Sequence, residues 1–174
     1  MFLNKARNRF ALLFVSALFA VVSAMPAQSA SMSDYLENKV VDWLLRAQTF
    51  TPPATVYVGL ATGTGSDSAC GTEVTGGSYA RVAVTSSLAN WAGTQSSGST
   101  TASSGTGGTT SNNAAITFPS PTANWGTLTE FCVFDASTSG NVMFRAALTT
   151  GKTVNNGDAA PSFAIAALTF QIDN

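Results

Sequence analysis

Cys70 and Cys132 are the only cysteines in the 174-residue sequence, and histidine is absent. The missing histidine removes the commonest metal ligand and the usual general base near neutral pH. A Ser-His-Asp arrangement is therefore excluded, no Gly-x-Ser-x-Gly elbow occurs, and two cysteines without histidine do not make a zinc site. In an oxidising compartment an isolated pair 62 residues apart reads as one disulfide, which adds about 4 kcal/mol on the loop-entropy estimate. In a reducing cytoplasm the same pair reads as two free thiols, with Cys132 packed in the core. The carboxylates Asp67, Glu73, Glu130, Asp135 and Asp158 are scattered. Two of them could meet as a glycosidase pair, and the Asp67 or Asp158 turns could offer oxygens to calcium, but no spacing argues for either. They read as solvated surface acids or loop caps. No complete Gly-x-x-x-x-Gly-Lys-Ser/Thr phosphate loop is present, and Gly63-Thr64-Gly65 and Gly105-Thr106-Gly107-Gly108 lie in loop composition. No catalytic, cofactor-binding or metal-ligating residues are expected, and the chain reads as a non-enzyme.

Charged residues make up only 10% of the chain, against about 25% in ordinary soluble proteins. Phosphate neutralisation needs clustered Lys and Arg, so a nucleic-acid partner is not expected. Three of the eight basic residues, Lys5, Arg7 and Arg9, stand at the N-terminus, leaving five against nine acids beyond it. That balance disfavours anionic membranes.

These residues need a scaffold, and the sequence describes one domain. Residues 1–30 run from the basic stretch through the uncharged Phe10 to Ala24 to a small-residue region ending at Ala30. This is the layout of a secretory signal peptide, too short to span a bilayer comfortably, so membrane contact is expected only transiently. Small residues suit cleavage after Ala24, Ser29 or Ser31. Two other readings compete: an apolar arm retained in an assembly, and an upstream extension of a frame that starts at Met32. Residues 31–174 then form a single domain. Within it, 33–46 has Leu36, Val40 and Leu44 at helical spacing, Ser33 as N-cap, Asp34 in the first turn and Arg46 at the last. Such a helix usually lids its own core; an oligomer contact is the lesser reading.

Beyond Pro52-Pro53 the period shifts towards two. Thr55 to Leu60, Tyr79 to Thr85, Ala114 to Phe118, Leu128 to Phe134, Val142 to Leu148 and Ser162 to Ile172 read as strands separated by Gly-, Asn-, Asp- and Ser-rich turns. Six or seven such strands predict a mainly β protein, an antiparallel β-sandwich of jelly-roll or Ig-like kind, or a small barrel, with one N-terminal helix. Four consecutive apolar positions, Phe131 to Phe134, fit a central strand covered on both faces. Residues 93–113, with six Ser, six Thr and five Gly, read as a loop that inserts between strands or reaches a neighbour.

Several segments together resemble a family of small tailed-phage virion proteins of the tail-fibre or minor structural type. They are Ser33-Asp34-Tyr35-Leu36-Glu37-Asn38-Lys39, Val56-Tyr57-Val58-Gly59-Leu60, Thr72 to Arg81, Ala123 to Asp135, and Gly140 to Val154, in that order. The resemblance covers Met32 to Asn174. It implies a non-enzymatic virion building block, in capsid decoration or a tail appendage, with an N-terminal helix and a β-sandwich. Its partners would be further copies of itself and other virion proteins. The alternative is an exported bacterial β-sandwich, secreted or on the cell surface, that assembles into filaments or binds a glycan or protein. Interface cores are poor in charge and rich in aromatics, which makes Trp43, Tyr57 and Tyr79 the candidate contact residues.

Overall fold

The computed structural model describes residues 23–25 and 27–172. Residues 1–22, which hold most of the signal-peptide-like leader, lie outside the described part. No helix among the described residues is long and apolar enough to cross a membrane. The elements run in the order β1 (Ser23–Ala24), β2 (Ser31–Met32), α1 (Asp34–Leu45), β3 (Thr55–Thr62), β4 (Thr72–Glu73), β5 (Val82–Thr85), β6 (Thr109–Ser111), β7 (Ile116–Thr117), β8 (Gly126–Phe134), β9 (Val142–Val154), β10 (Pro161–Phe163) and β11 (Thr169–Gln171).

One six-stranded sheet dominates, in the order β2-β9-β8-β3-β4, with β5 also paired to β3. A three-stranded sheet, β1-β10-β7, and a two-stranded sheet, β11-β6, complete the sandwich. All pairings between these strands are antiparallel except β1 with β10. The β-branched and aromatic content of β3 and β8 suits a pleated, covered surface. Alternation then sorts their side chains: Val58 and Leu60 share a face with Phe131 and Val133, across from which they pair. That face meets Met25, Ile116, Phe163, Leu168 and Phe170 from the smaller sheets and their flanks, in a single buried cluster. Phe131 stacks edge-on against both Phe163 and Phe170, with ring centroids 5.5 and 6.2 Å apart.

The expected central strand is present, since Phe131 to Phe134 are all buried. What covers its second face is not another sheet but a polar layer. The expected final strand over 162–172 is two strands, β10 and β11, parted by a turn in which Ala166 takes a φ of 62°. The Ser/Thr/Gly block is loop as far as Gly108; its end forms β6, against β11, and Asn112 just beyond is 1% exposed. Within the loop, Gln95 Nε2 donates to Ser99, Thr101 and Ala102, so the segment is bonded mainly to itself.

The helix begins where its cap predicts. Ser33 Oγ accepts from Leu36 N–H at 3.3 Å and donates to the Val142 carbonyl, fixing the start of α1 to β9. Its packing differs from that of a lid. Leu36 is buried, whereas Val41, Trp43, Leu44 and Leu45 are exposed. The hydrogen bonds that tie α1 to the rest of the domain lie at its start, from Ser33 to β9 and from Asp34 to Asp67.

Candidate functional site

The second face of the large sheet carries the chain's buried chemistry. Pairing places Ala61 opposite Glu130, Gly59 opposite Cys132, and Tyr57 opposite Phe134, while Cys132 pairs on its other side with Arg145. Residues two apart on β8 share a face, so Glu130, Cys132 and Phe134 form one row with Arg145 beside it. Cys132 is joined to Cys70 in a disulfide, with Cα atoms 6.0 Å apart. The oxidised reading of the pair is therefore the one the structure takes. It fastens the loop 63–71 over β8.

Glu130 is 1% exposed. One carboxylate oxygen accepts from Arg145 Nε at 2.8 Å and Nη2 at 2.5 Å. The other accepts from the Gly71 N–H at 2.7 Å and the Gly65 N–H at 3.0 Å. Arg145 also lies 3.6 Å from Asp67, whose carbonyl accepts from Asp34 N–H at the start of α1. A buried carboxylate is tolerated only when its lone pairs are filled, and here four donors fill them. Sequence patterning placed Glu130 among solvated acids, and its burial corrects that: strand register puts it inward, against an arginine from the next strand. Cys70, Cys132 and Glu130 offer three metal-type ligand atoms within 4.8 Å, but the two sulfurs are bonded to each other and Glu130 is held by its donors.

A second cluster adjoins the first. Arg81 makes a paired contact with Glu73, Nε and Nη2 each 2.7 Å from a carboxylate oxygen. Its Nη1 donates to the carbonyls of Ala136 and Ser139, and its guanidinium lies 3.3 Å over the Phe134 ring. Tyr79 Oη accepts from Leu60 N–H at 2.8 Å and donates to Glu73 at 3.0 Å. Gly59 lets this second cluster close against β3: a Cβ there would sit 2.9 Å from Phe134, 3.0 Å from Tyr79 Oη and 3.1 Å from Glu73. The turn that delivers Tyr79 and Arg81 needs left-handed backbone at Gly76 and Gly77, with φ of 73° and 55°.

The three aromatic candidates part company here. Trp43 is exposed on α1. Tyr57 is half-buried and packs with Phe134 and Val142. The ring of Tyr79 lies 5.4 Å from Trp125, edge to face, and 6.3 Å from Phe118. Burial raises its phenol well above the ordinary value, the Leu60 hydrogen bond opposing this and the Glu73 charge adding to it. Of the remaining acids, Asp135 and Asp158 are loop caps, accepting from Asn141 and Asn155 N–H at 2.7 and 2.8 Å. Sequence reasoning passed over Arg81 and Arg145. For Arg145 the available signal was a single charge in the otherwise apolar run Val142 to Leu148; Arg81, just ahead of β5, offered none.

Both clusters thus bind segments of the chain to the sheet, and the segments they bind include those that carry the phage resemblance. A family model described as "Podophage GP4 fiber I protein gp80" matches residues 31–171. The chain belongs to this family. It is accordingly a phage structural protein of the fibre type, and its place among other virion proteins follows from the same match. No curated protein matches the chain. The match opens two residues before the Ser33 cap and closes at the end of β11, so it takes in α1, the whole large sheet and both charge clusters.

Proposed function

We propose that the protein is a non-enzymatic subunit of a phage tail appendage that works by contact with further copies of itself, and that α1 supplies the contact. The exposed apolar side of the helix carries this reading. Val41, Leu44 and Leu45 share one side, Leu44 and Leu45 being 66% and 76% exposed, and Trp43, 56% exposed, lies round the helix from them. Burying one large apolar side chain contributes about 1.5–3 kcal/mol, so leaving several uncovered on a short helix is costly unless a partner covers them. A second copy is the occupant that the chain itself offers, since every copy presents the same apolar patch and the sequence has few charges to keep copies apart. The helix base is anchored through Ser33 and Asp34, and the patch lies at the other end of α1. The non-enzymatic reading is supported by the engagement of Glu73 and Glu130 with arginines that hold loops in place.

Light scattering of the purified full chain at tens of micromolar tests this. The wild-type protein is expected to be oligomeric. Leu44→Glu with Leu45→Glu should yield a folded monomer, because both side chains are exposed within one copy, with a thermal midpoint lowered only by the association that is lost. A monomeric wild type, or an oligomer that ignores both substitutions, overturns the role of α1.

A further inference from the structure

The described residues ahead of α1, 23–25 and 27–33, are built into the domain. Met25 N–H donates to the Ser162 carbonyl at 2.9 Å, Gln28 N–H to Ala147 at 3.1 Å, and Ala30 N–H to Thr169 at 2.8 Å; Gln171 N–H returns a bond to Ala30 at 3.4 Å. Along this arm β1 pairs with β10, Ala27 bridges to Leu148 of β9, Ala30 bridges to Phe170 of β11, and β2 pairs with β9. It therefore touches all three sheets in turn. Two of its side chains belong to the core: Met25 and Ala30 are each 1% exposed and sit in the same buried cluster as Phe131, Phe163 and Phe170.

From this placement we infer that the working protein keeps Met25 to Met32, and that its N-terminus lies no later than Met25. The contacts of Met25 to Ala30 lie ahead of residue 31, where the family match begins, and are read from this chain's own packing. Three cleavage positions and a start at Met32 are open on sequence grounds. Hydrolysis after Ser29 or Ser31, or initiation at Met32, would remove Met25 from the core and leave the Ser162 and Ala147 carbonyls without their donors. Hydrolysis after Ala24 differs. Water added across the Ala24–Met25 bond by an endopeptidase leaves a carboxylate on Ala24 and an ammonium on Met25. That ammonium can still donate to Ser162, and only Ser23 and Ala24 of the arm are lost, Ala24 being exposed.

Two measurements on the full-length gene product test this. Intact mass of protein isolated from the native particle should place the first residue at or before Met25, and a first residue at Ala30 or Met32 overturns the inference. In the full chain, Met25→Asp should lower the thermal midpoint by roughly 10 °C or more, whereas Gln28→Ala and Ser29→Ala, both at exposed positions, should shift it by about a degree at most. If Met25→Asp is as silent as the two controls, the arm is not part of the fold and the inference fails. If Met25→Asp yields no folded protein, Met25→Ala, which leaves a cavity without a buried charge, should give a folded chain with a midpoint several degrees lower.

Discussion

Glu130 and Tyr79 show how single side chains hold this fold. Glu130→Gln keeps the shape and part of the hydrogen bonding but removes the charge opposite Arg145, and its amide nitrogen cannot accept from the Gly65 or Gly71 N–H. Removing one partner of a buried pair costs about 3 kcal/mol or more, so the midpoint should fall by roughly 6–12 °C in a thermal melt. A shift under about two degrees would mean that Arg145 is content with Asp67 alone. Tyr79 couples stability to pH. Its folded-state value is raised above the ordinary 10.0 mainly by burial, so below about pH 10 both states keep the proton and its contribution is complete. As pH climbs further, the unfolded chain releases the proton before the folded one does. Stability should therefore decline above about pH 10, by up to about 1.4 kcal/mol per pH unit from this group. Urea midpoints between pH 9 and 11 should show that decline flattened in Tyr79→Phe. Equal slopes in the two proteins would assign the effect elsewhere.

Among the elements, the loop 63–71 is the one fastened most heavily, by the Cys70–Cys132 bridge, by Glu130 through Gly65 and Gly71, and by α1 through Asp67. Reduction removes only the first. The bridge closes a 62-residue separation, worth about 4 kcal/mol in denatured-state entropy, so the reduced protein should stay folded with a midpoint lower by roughly 8–16 °C. Melts with and without reductant, with both thiols counted by alkylation, check this; an unchanged midpoint in fully alkylated protein would contradict it. The strands β3 and β8 and the start of α1 could be read from sequence because their signals are local: β-branched and aromatic runs, four apolar positions in a row, a serine cap before an aspartate. β1 and β2 could not, since the same small residues, Ser23-Ala24 and Ser31-Met32, describe a signal-peptide end equally well. β10 and β11 merged for a related reason, because Ala164 to Leu168 is apolar enough to hide a turn. The inward position of Glu130 depends on pairing with β9, which no local pattern reveals.

At the level of the whole molecule, the first described residues are bound to the last. β1 joins β10, Ala30 joins Phe170, and β2 joins β9, while the larger of the two core clusters is shared by all three sheets. Neither small sheet has a core of its own, so neither has a basis for independent stability. The protein should consequently unfold in a single step, with far-ultraviolet circular dichroism and tryptophan fluorescence giving coincident transitions. Fluorescence reports on tertiary packing here because Trp125 is 5% exposed and Trp91 lies edge-on to Phe170 at 5.4 Å. Long-range pairing also sets the pace. Few contacts can form before β8 to β11 are in place, so refolding of the oxidised chain is expected in milliseconds to seconds, the range of β-sandwiches rather than helical bundles. An early fluorescence transition, separate from loss of the sheet signal, would show that the β6–β11 layer next to Trp91 opens on its own, and the shared core would then be two cores.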